Sequence, residues 1–157
     1  METAGRREPN AADPIGTIET EIAVLMRRAE ATRRSGSAPH RTLDRAAYLI
    51  LRRLHEAGAQ SVTSVAEALG LDGSTVTRQV TAMERDGLVQ RRRDAADGRV
   101  TIVEPTAVGL RRMHGVRAAR EDLYRQLLAG WPHDARDQLA RLLTKLNETL
   151  DAYVRNR

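Results

Sequence analysis

The chain has no cysteine and no phenylalanine, and aromatic residues make up only 3% of its 157 residues. The absence of cysteine excludes disulfides, thiol-based redox sensing and cysteine-ligated metal sites. With so few aromatic side chains, the core must be built from leucine, valine, isoleucine, alanine and methionine. A small aliphatic core combined with long helices favours burial of further apolar surface between subunits.

The sequence also lacks the long apolar segments that membranes require. No apolar run approaches the roughly 18 residues of a membrane-spanning helix, and the N-terminus has no apolar stretch typical of a secretory signal. We therefore expect a soluble, cytoplasmic protein without membrane contact. The 26 Lys and Arg residues against 21 Asp and Glu residues give a net charge of +5, which is a moderate bias toward polyanionic partners.

Patterns typical of catalysis or metal binding are missing as well. The sequence contains no phosphate-binding loop and no Ser-x-x-Lys pattern, and zinc would need three or four converging ligands. His55 and Glu56 are adjacent, but adjacent residues on a helix do not face one site. We expect no enzymatic activity, no cofactor and no metal. The four histidines are isolated in the sequence: His40, His55, His114 and His133.

Residues 65–89 show the pattern of two helices joined by a tight turn. A short apolar helix ends at Gly70, and an amphipathic helix follows the polar turn and stops at Gly87. A helix, a tight turn containing glycine and a second helix with an exposed polar face form the order of a helix-turn-helix motif.

The second helix of this pair carries candidate DNA-contacting residues. Val76, Val80 and Met83 fall at helical spacing and share one buried face. Short hydroxyls and one arginine lie off that face, where hydroxyls permit close approach to a base edge and arginine can donate two hydrogen bonds to guanine. Considered alone, the helix could equally be an ordinary surface helix. The candidates are Ser74, Thr75, Thr77 and Arg78.

After this helix the apolar period changes to two, which is typical of β-strands. Residues 88–93 and 100–104 are predicted to form a hairpin, because Asp97–Gly98 is a strong hairpin-turn dipeptide. A basic hairpin beside a groove-sized helix can place its tip in the minor groove, where narrow grooves attract arginine. The alternative is a solvated turn with local Asp–Arg pairs. Arg91, Arg92, Arg93 and Arg99 oppose only Asp94 and Asp97 there.

The remaining sequence is predicted to be largely helical. We expect helices over residues 14–34, 42–57, 64–69, 107–128 and 133–154, with Thr42, Thr63 and Thr106 as N-caps. Residues 61–63 are β-prone and are expected to make one or two strand pairings. The last helix has a nearly heptad-like apolar seam that we expect to pack against a second copy of the chain. The seam comprises Leu139, Leu142, Leu143, Leu146, Leu150 and Val154.

The order of these segments resembles the MarR family of bacterial transcriptional regulators over nearly the whole chain. Five motifs carry the resemblance: VAEALG at 65–70, STVTR at 74–78, MERDGLV at 83–89, RRDAADGR at 92–99 and PTAVG at 105–109. The resemblance implies a mainly α fold with a small β-hairpin wing, in which a winged helix-turn-helix head is mounted on a helical dimerisation base. Residues 1–13 are expected to form a disordered tail because they are polar. The resemblance implies one domain at 14–157, with residues 42–105 as the head and residues 14–35 and 106–155 as the dimerisation helices.

For function, the resemblance implies a homodimeric repressor that binds double-stranded DNA at a palindromic operator. In the family the recognition helix enters the major groove and a wing arginine reaches the minor groove; here that arginine is Arg99, oriented by Asp94 or Asp97. Many members are released from DNA by a small anionic or aromatic effector. The alternative is a winged-helix module that binds protein without specific DNA binding. The candidate DNA-binding residues are Ser74, Thr75, Thr77, Arg78, Arg93, Asp97 and Arg99.

Overall fold

The computed structural model describes residues 13–35 and 43–156, over which the chain forms six helices and one three-stranded sheet. The predicted mainly α fold with a small β-hairpin is confirmed. The tail predicted for residues 1–13 lies, apart from Asp13, outside the described residues. In chain order the elements are α1 (Ile15–Ser35), α2 (Arg45–Ala57), β1 (Gln60–Ser61), α3 (Val62–Leu69), α4 (Gly73–Arg85), β2 (Val89–Arg93), β3 (Thr101–Pro105), α5 (Ala107–Leu127) and α6 (His133–Arg155).

The chain divides into two units, residues 1–37 and 38–157. The first unit contains α1, whose large apolar side chains are exposed along the helix. The second unit contains the other described elements and an aliphatic core, and no aromatic side chain is buried among its described residues. Tyr48 is half-buried and packs against that core. The largest fully buried side chains are Ile50, Leu51, Leu54, Met83, Met113, Val65, Val76, Val80, Val89, Val103 and Val116.

Two of the three predicted helix caps are wrong. The N-cap of α2 is Asp44, whose Oδ1 accepts from the Ala47 backbone N–H at 2.7 Å; Thr42 lies outside the described residues. The α3 helix begins two residues earlier than predicted, and Ser61, not Thr63, accepts from the Ser64 N–H at 3.0 Å. Short oxygen-bearing side chains near a helix start compete for the same free N–H groups, so the sequence pattern does not identify which one caps.

The sheet has the strand order β1–β3–β2, with both pairings antiparallel. Strand β1 contributes only Gln60 and Ser61, which pair with Val103 and Ile102 of β3, because the next residues turn into α3. The predicted β2–β3 hairpin is confirmed, with Val89 opposite Pro105 and Arg93 opposite Thr101. Val103 is the fully buried residue of β3, whereas Val100 and Ile102 are only half-buried.

Two glycines set the direction of the chain immediately before and after α4. Gly70 ends α3 with a φ of 61° and Gly87 follows α4 with a φ of 68°. This left-handed conformation is accessible to glycine without the Cβ clash that other residues suffer. After Gly70, the Leu71 N–H donates to the Ala66 carbonyl at 2.9 Å and closes the end of α3. The chain can therefore turn sharply into α4 and then into the wing.

Candidate nucleic-acid interface

The exposed surface of α4 is organised by its N-cap, Asp72. Its carboxylate accepts the Ser74 and Thr75 backbone N–H groups at 3.2 and 3.0 Å, and their hydroxyls at 2.6 and 3.0 Å. These bonds, led by the Ser74 hydroxyl, hold the pKa of Asp72 far below its usual value because they stabilise the charged form. Because both hydroxyl protons point to Asp72, the oxygens of Ser74 and Thr75 face solvent as acceptors.

The four α4 residues predicted to contact DNA lie together on the first two turns, and all are exposed. The Thr77 hydroxyl donates to the Gly73 carbonyl at 2.8 Å, so its oxygen too is available as an acceptor. Arg78 makes a long contact of 3.5 Å from Nη2 to Thr75 Oγ1. Most of the donors of this guanidinium thus remain available for a partner, next to hydroxyls that can accept.

At the wing tip, both aspartates are used to build the turn. Asp94 accepts the Ala96 and Asp97 N–H groups at 2.7 and 3.1 Å, and these bonds lower the pKa of Asp94. Asp97 accepts the Arg99 backbone N–H at 2.9 Å. Asp97 thus orients Arg99 through its main chain and not through its guanidinium. Within residues 13–35 and 43–156, neither Arg93 nor Arg99 has an acidic partner, which disfavours the alternative of a turn held by local Asp–Arg pairs.

The other two wing arginines each lie against a glutamate, contrary to the expectation that only Asp94 and Asp97 oppose them. Arg91 Nε lies 3.3 Å from Glu84 Oε2, and Arg92 Nε lies 3.7 Å from Glu104 Oε2. The fold brings Glu84 from α4 and Glu104 from β3 to the strand that carries the arginines. The wing is therefore less uniformly basic than its sequence indicates. In the part of the chain that the structure describes, its charge without an acidic partner is concentrated at Arg93 and Arg99.

Several residues that fix α4 in place were missed by the sequence reasoning. Gln79 Nε2 donates to Asp44 Oδ2 at 2.8 Å across 35 positions of the chain. Thr81 accepts a hydrogen bond from Arg91 Nη2 and donates to the Thr77 carbonyl at 2.8 Å. No local pattern signals the Gln79–Asp44 and Thr81–Arg91 pairs, because Asp44 and Arg91 come from other segments of the chain.

Within the described ranges, no helix is both long and apolar enough to cross a membrane. The same residues contain no group of three His, Asp or Glu side chains placed to hold a metal ion.

A helix-turn-helix whose second helix leads directly into a basic β-hairpin defines a winged helix-turn-helix protein. The model of the MarR family matches residues 43–101, which span α2 to the start of β3. The chain is 33% identical over 140 residues to the HTH-type transcriptional regulator YxaD of Bacillus subtilis strain 168, covering 87% of this chain and 94% of the relative. The chain therefore belongs to the MarR family of transcriptional regulators, a family whose members are not enzymes.

Two further matches are a transcriptional repressor and a solved structure of a protein with regulated DNA binding. The chain is 29% identical over 109 residues to the HTH-type transcriptional repressor IacR of Pseudomonas putida, covering 69% of this chain and 65% of the relative. Its fold matches that of BpsR from Bordetella bronchiseptica with a TM-score of 0.69 and 21% identity, over 89% of this chain and 97% of the other. That structure is described as showing regulation of BpsR DNA binding by 6-hydroxynicotinic acid.

Proposed function

We propose that the protein is a homodimeric repressor that acts in the cytoplasm and binds a palindromic operator in double-stranded DNA. The observation that carries this proposal is the exposed face of α4, which presents Ser74, Thr75, Thr77 and Arg78. Beside it lies the wing, whose tip presents Arg93 and Arg99 without an acidic partner among the described residues. A helix face of this chemistry suits base edges in the major groove, and an arginine at a wing tip suits the minor groove.

The dimer is supported by apolar surface that the second unit leaves uncovered. Leu142, Leu143, Leu146 and Leu150 are all exposed along α6. Large apolar side chains that follow one helix face typically mark an interaction surface, and a heptad-like spacing suits packing of helix against helix. We assign residues 106–155 to the dimer interface on this ground.

The first unit supports the same assignment independently. Exposed apolar residues at helical spacing run along α1, and they include Ile15, Ile18, Ile22, Leu25 and Met26. We assign residues 14–35 to dimerisation as well, and residues 42–105 to DNA binding. A two-fold dimer would present two α4 helices to half-sites centred about 10 bp apart, or a multiple of that spacing.

Release by a small-molecule effector is part of the proposal. It is supported by BpsR, whose DNA binding responds to 6-hydroxynicotinic acid, and the repressor role is supported by the name of IacR. An effector would act by binding the form of the dimer whose α4 helices are wrongly spaced for the operator, because a ligand shifts an equilibrium only through its differential affinity.

The test is selection of bound sequences from a pool of random duplexes, followed by affinity measurement on the selected duplex and a scrambled one. We expect a palindromic consensus and a preference of roughly 10³-fold or more for it, with light scattering reporting a dimer in solution. A monomer that binds both duplexes equally weakly at low salt would overturn the proposal and favour a winged-helix module that binds protein.

A further inference from the structure

Arg91 lies in β2, the first strand of the wing, and its side chain is held by α4, the helix that precedes this strand. Its Nη2 donates to Thr81 Oγ1, and its Nε lies 3.3 Å from Glu84 Oε2 without hydrogen-bond geometry. The Nε is buried, and the side chain is 27% exposed, against 51% for the neighbouring Arg92. A cation that is enclosed in this way cannot reach a phosphate without giving up its contacts to α4.

The opposite flank of α4 is held by a second polar contact. Gln79 Nε2 donates to one oxygen of Asp44, whose other oxygen caps α2. At 100° per residue, Gln79 and Glu84 fall on opposite sides of the buried stripe of Val76, Val80 and Met83. The apolar stripe fixes how deeply α4 packs into the core. The two polar contacts on the flanks of the stripe resist rotation of α4 about the helix axis.

We propose that Arg91 is a positioning residue that sets the orientation of α4 relative to the wing, and that it does not bind DNA itself. This inference rests on the proposed DNA-binding function. Its physical reason is that the planar guanidinium can engage Thr81 and Glu84 together, which a lysine ammonium on a flexible stem cannot reproduce. Loss of the contact lets α4 turn, so that Arg78 and Arg99 no longer meet one duplex in the required geometry.

The first experiment compares Arg91→Lys with Arg92→Lys, a matched control in the same strand, because Arg92 pairs with Glu104 of β3 and is not one of the candidate DNA-binding residues. Affinities are measured for the selected operator duplex and for a scrambled duplex. For Arg91→Lys we expect the operator affinity to fall about 10-fold and the scrambled-duplex affinity to fall less than about 3-fold, because charge is retained while orientation is lost. For Arg92→Lys we expect both affinities to be nearly unchanged, because a lysine keeps the charge and can keep the exposed ion pair with Glu104. If Arg91→Lys also binds both duplexes like the wild type, the proposal is overturned.

The second experiment measures the salt dependence of operator binding by Arg91→Gln. A side chain that contacts a phosphate contributes about 0.9 to the slope of log K against log salt concentration. We expect the slope of Arg91→Gln to equal that of the wild type while its affinity falls. A reduction of about 0.9 in the slope would identify Arg91 as a phosphate contact and overturn the proposal.

The third experiment separates this inference from the function on which it rests. Thermal unfolding of Arg91→Gln, Glu84→Gln and the double variant gives a coupling between the two residues that needs no DNA. We expect clearly non-additive losses, as for residues in contact. Additive losses would contradict the proposed contact, whereas failure of the wild type to select any duplex would overturn the proposed function alone.

A purely structural role is tested with the same variants. The thermal unfolding curve of Arg91→Lys gives the fraction of protein that is folded at the binding temperature. The operator affinity is then corrected for this fraction. We expect the loss of discrimination between operator and scrambled duplex to persist after correction. If it disappears, Arg91 only stabilises the fold and the positioning role is wrong.

Discussion

A Cβ atom on Gly109 would overlap the main-chain carbonyl of Leu88, so the first turn of α5 lies directly against the backbone that joins α4 to the wing. The adjacent Thr106 reinforces the junction. Its hydroxyl donates to the Gly87 carbonyl at 2.6 Å and accepts from the Gly109 N–H at 3.0 Å, which caps α5 as predicted. The helix that leads away from the head is thus fixed at the point where α4 ends and the wing begins.

Replacement of Gly109 by alanine is expected to destabilise the fold. The added methyl group would meet backbone, which cannot move as a flexible side chain can, and overpacking of this kind costs about 1–3 kcal/mol. The measurement is the free energy of unfolding in denaturant. Gly115→Ala is the matched control, because nothing lies within 4 Å of a Cβ at that position of the same helix. That variant should gain up to about 1 kcal/mol from helix propensity; similar losses in both variants would contradict the close approach.

Replacement of Arg78 by alanine is expected to reduce operator binding more than non-specific binding. A bidentate arginine–guanine pair contributes about 1–3 kcal/mol of discrimination, so operator affinity should fall roughly 10- to 100-fold. Mobility-shift titrations on the selected and scrambled duplexes provide the measurement. Arg117→Ala is the control, because Arg117 pairs with Glu121 on α5 at 2.7 Å. Equal losses on both duplexes would assign Arg78 to a phosphate contact.

Replacement of Arg99 by alanine is expected to reduce binding to every duplex and to reduce the salt slope by about 1. If the side chain enters a narrow minor groove, any preference for A·T-rich sequence flanking the half-sites should also disappear. The measurement is repeated selection from the random pool with the variant, together with titrations at several salt concentrations. Retention of the same flanking preference would remove Arg99 from the minor groove.

The cap at Asp72 predicts a defined pH dependence of stability. The pKa of Asp72 is lowered in the folded chain by its hydrogen bonds to Ser74 and Thr75, so its contribution is present above the unfolded-state value near 3.8 and is lost as the pH falls toward the folded-state pKa. Asp72→Ala should therefore lower the melting temperature at pH 7, and the difference from the wild type should shrink below about pH 4.

The conservative variant at the same position separates capping from titration. Asp72→Asn retains an oxygen acceptor for the α4 N–H groups but has no charge to lose. Its melting temperature should lie above that of Asp72→Ala at pH 7, and the difference between these two variants should not vary with pH in the acid range. If the difference in melting temperature between the wild type and Asp72→Ala stays constant down to pH 2, the charge of the Asp72 carboxylate does not stabilise α4.

Replacement of Leu146 by glutamate is expected to disrupt the proposed dimer, because it places a charge in the apolar seam of α6. Light scattering should report a monomer at micromolar concentration, and operator affinity should fall by roughly 100-fold or more because the two half-sites are no longer bound together. Glu148→Ala is the control on a different side of the same helix. A dimeric Leu146→Glu variant with normal operator affinity would exclude this face of α6 from the interface.

The succession of helices and strands was readable from the sequence, because each depends on local periodicity and on turn residues close to one another. The helical spacing of Val76, Val80 and Met83 identified the buried face of α4, and Asp97–Gly98 identified the hairpin turn. The caps at Asp44 and Ser61 were not identified, since several oxygen-bearing residues near each helix start could serve. The family resemblance followed from the same local motifs, and the comparison with YxaD confirms it.

The sequence by itself thus determined the elements of the winged helix and which side chains of α4 remain exposed, because a 3.6-residue period divides a helix into two faces without reference to the rest of the chain. Only the tertiary structure decided which arginines of the wing are engaged. Arg91 and Arg92 meet Glu84 and Glu104, while Arg99 has no acidic partner among the residues that the structure describes. Ion pairs form between side chains that folding brings together, so charges that look equivalent along the chain acquire different roles in space.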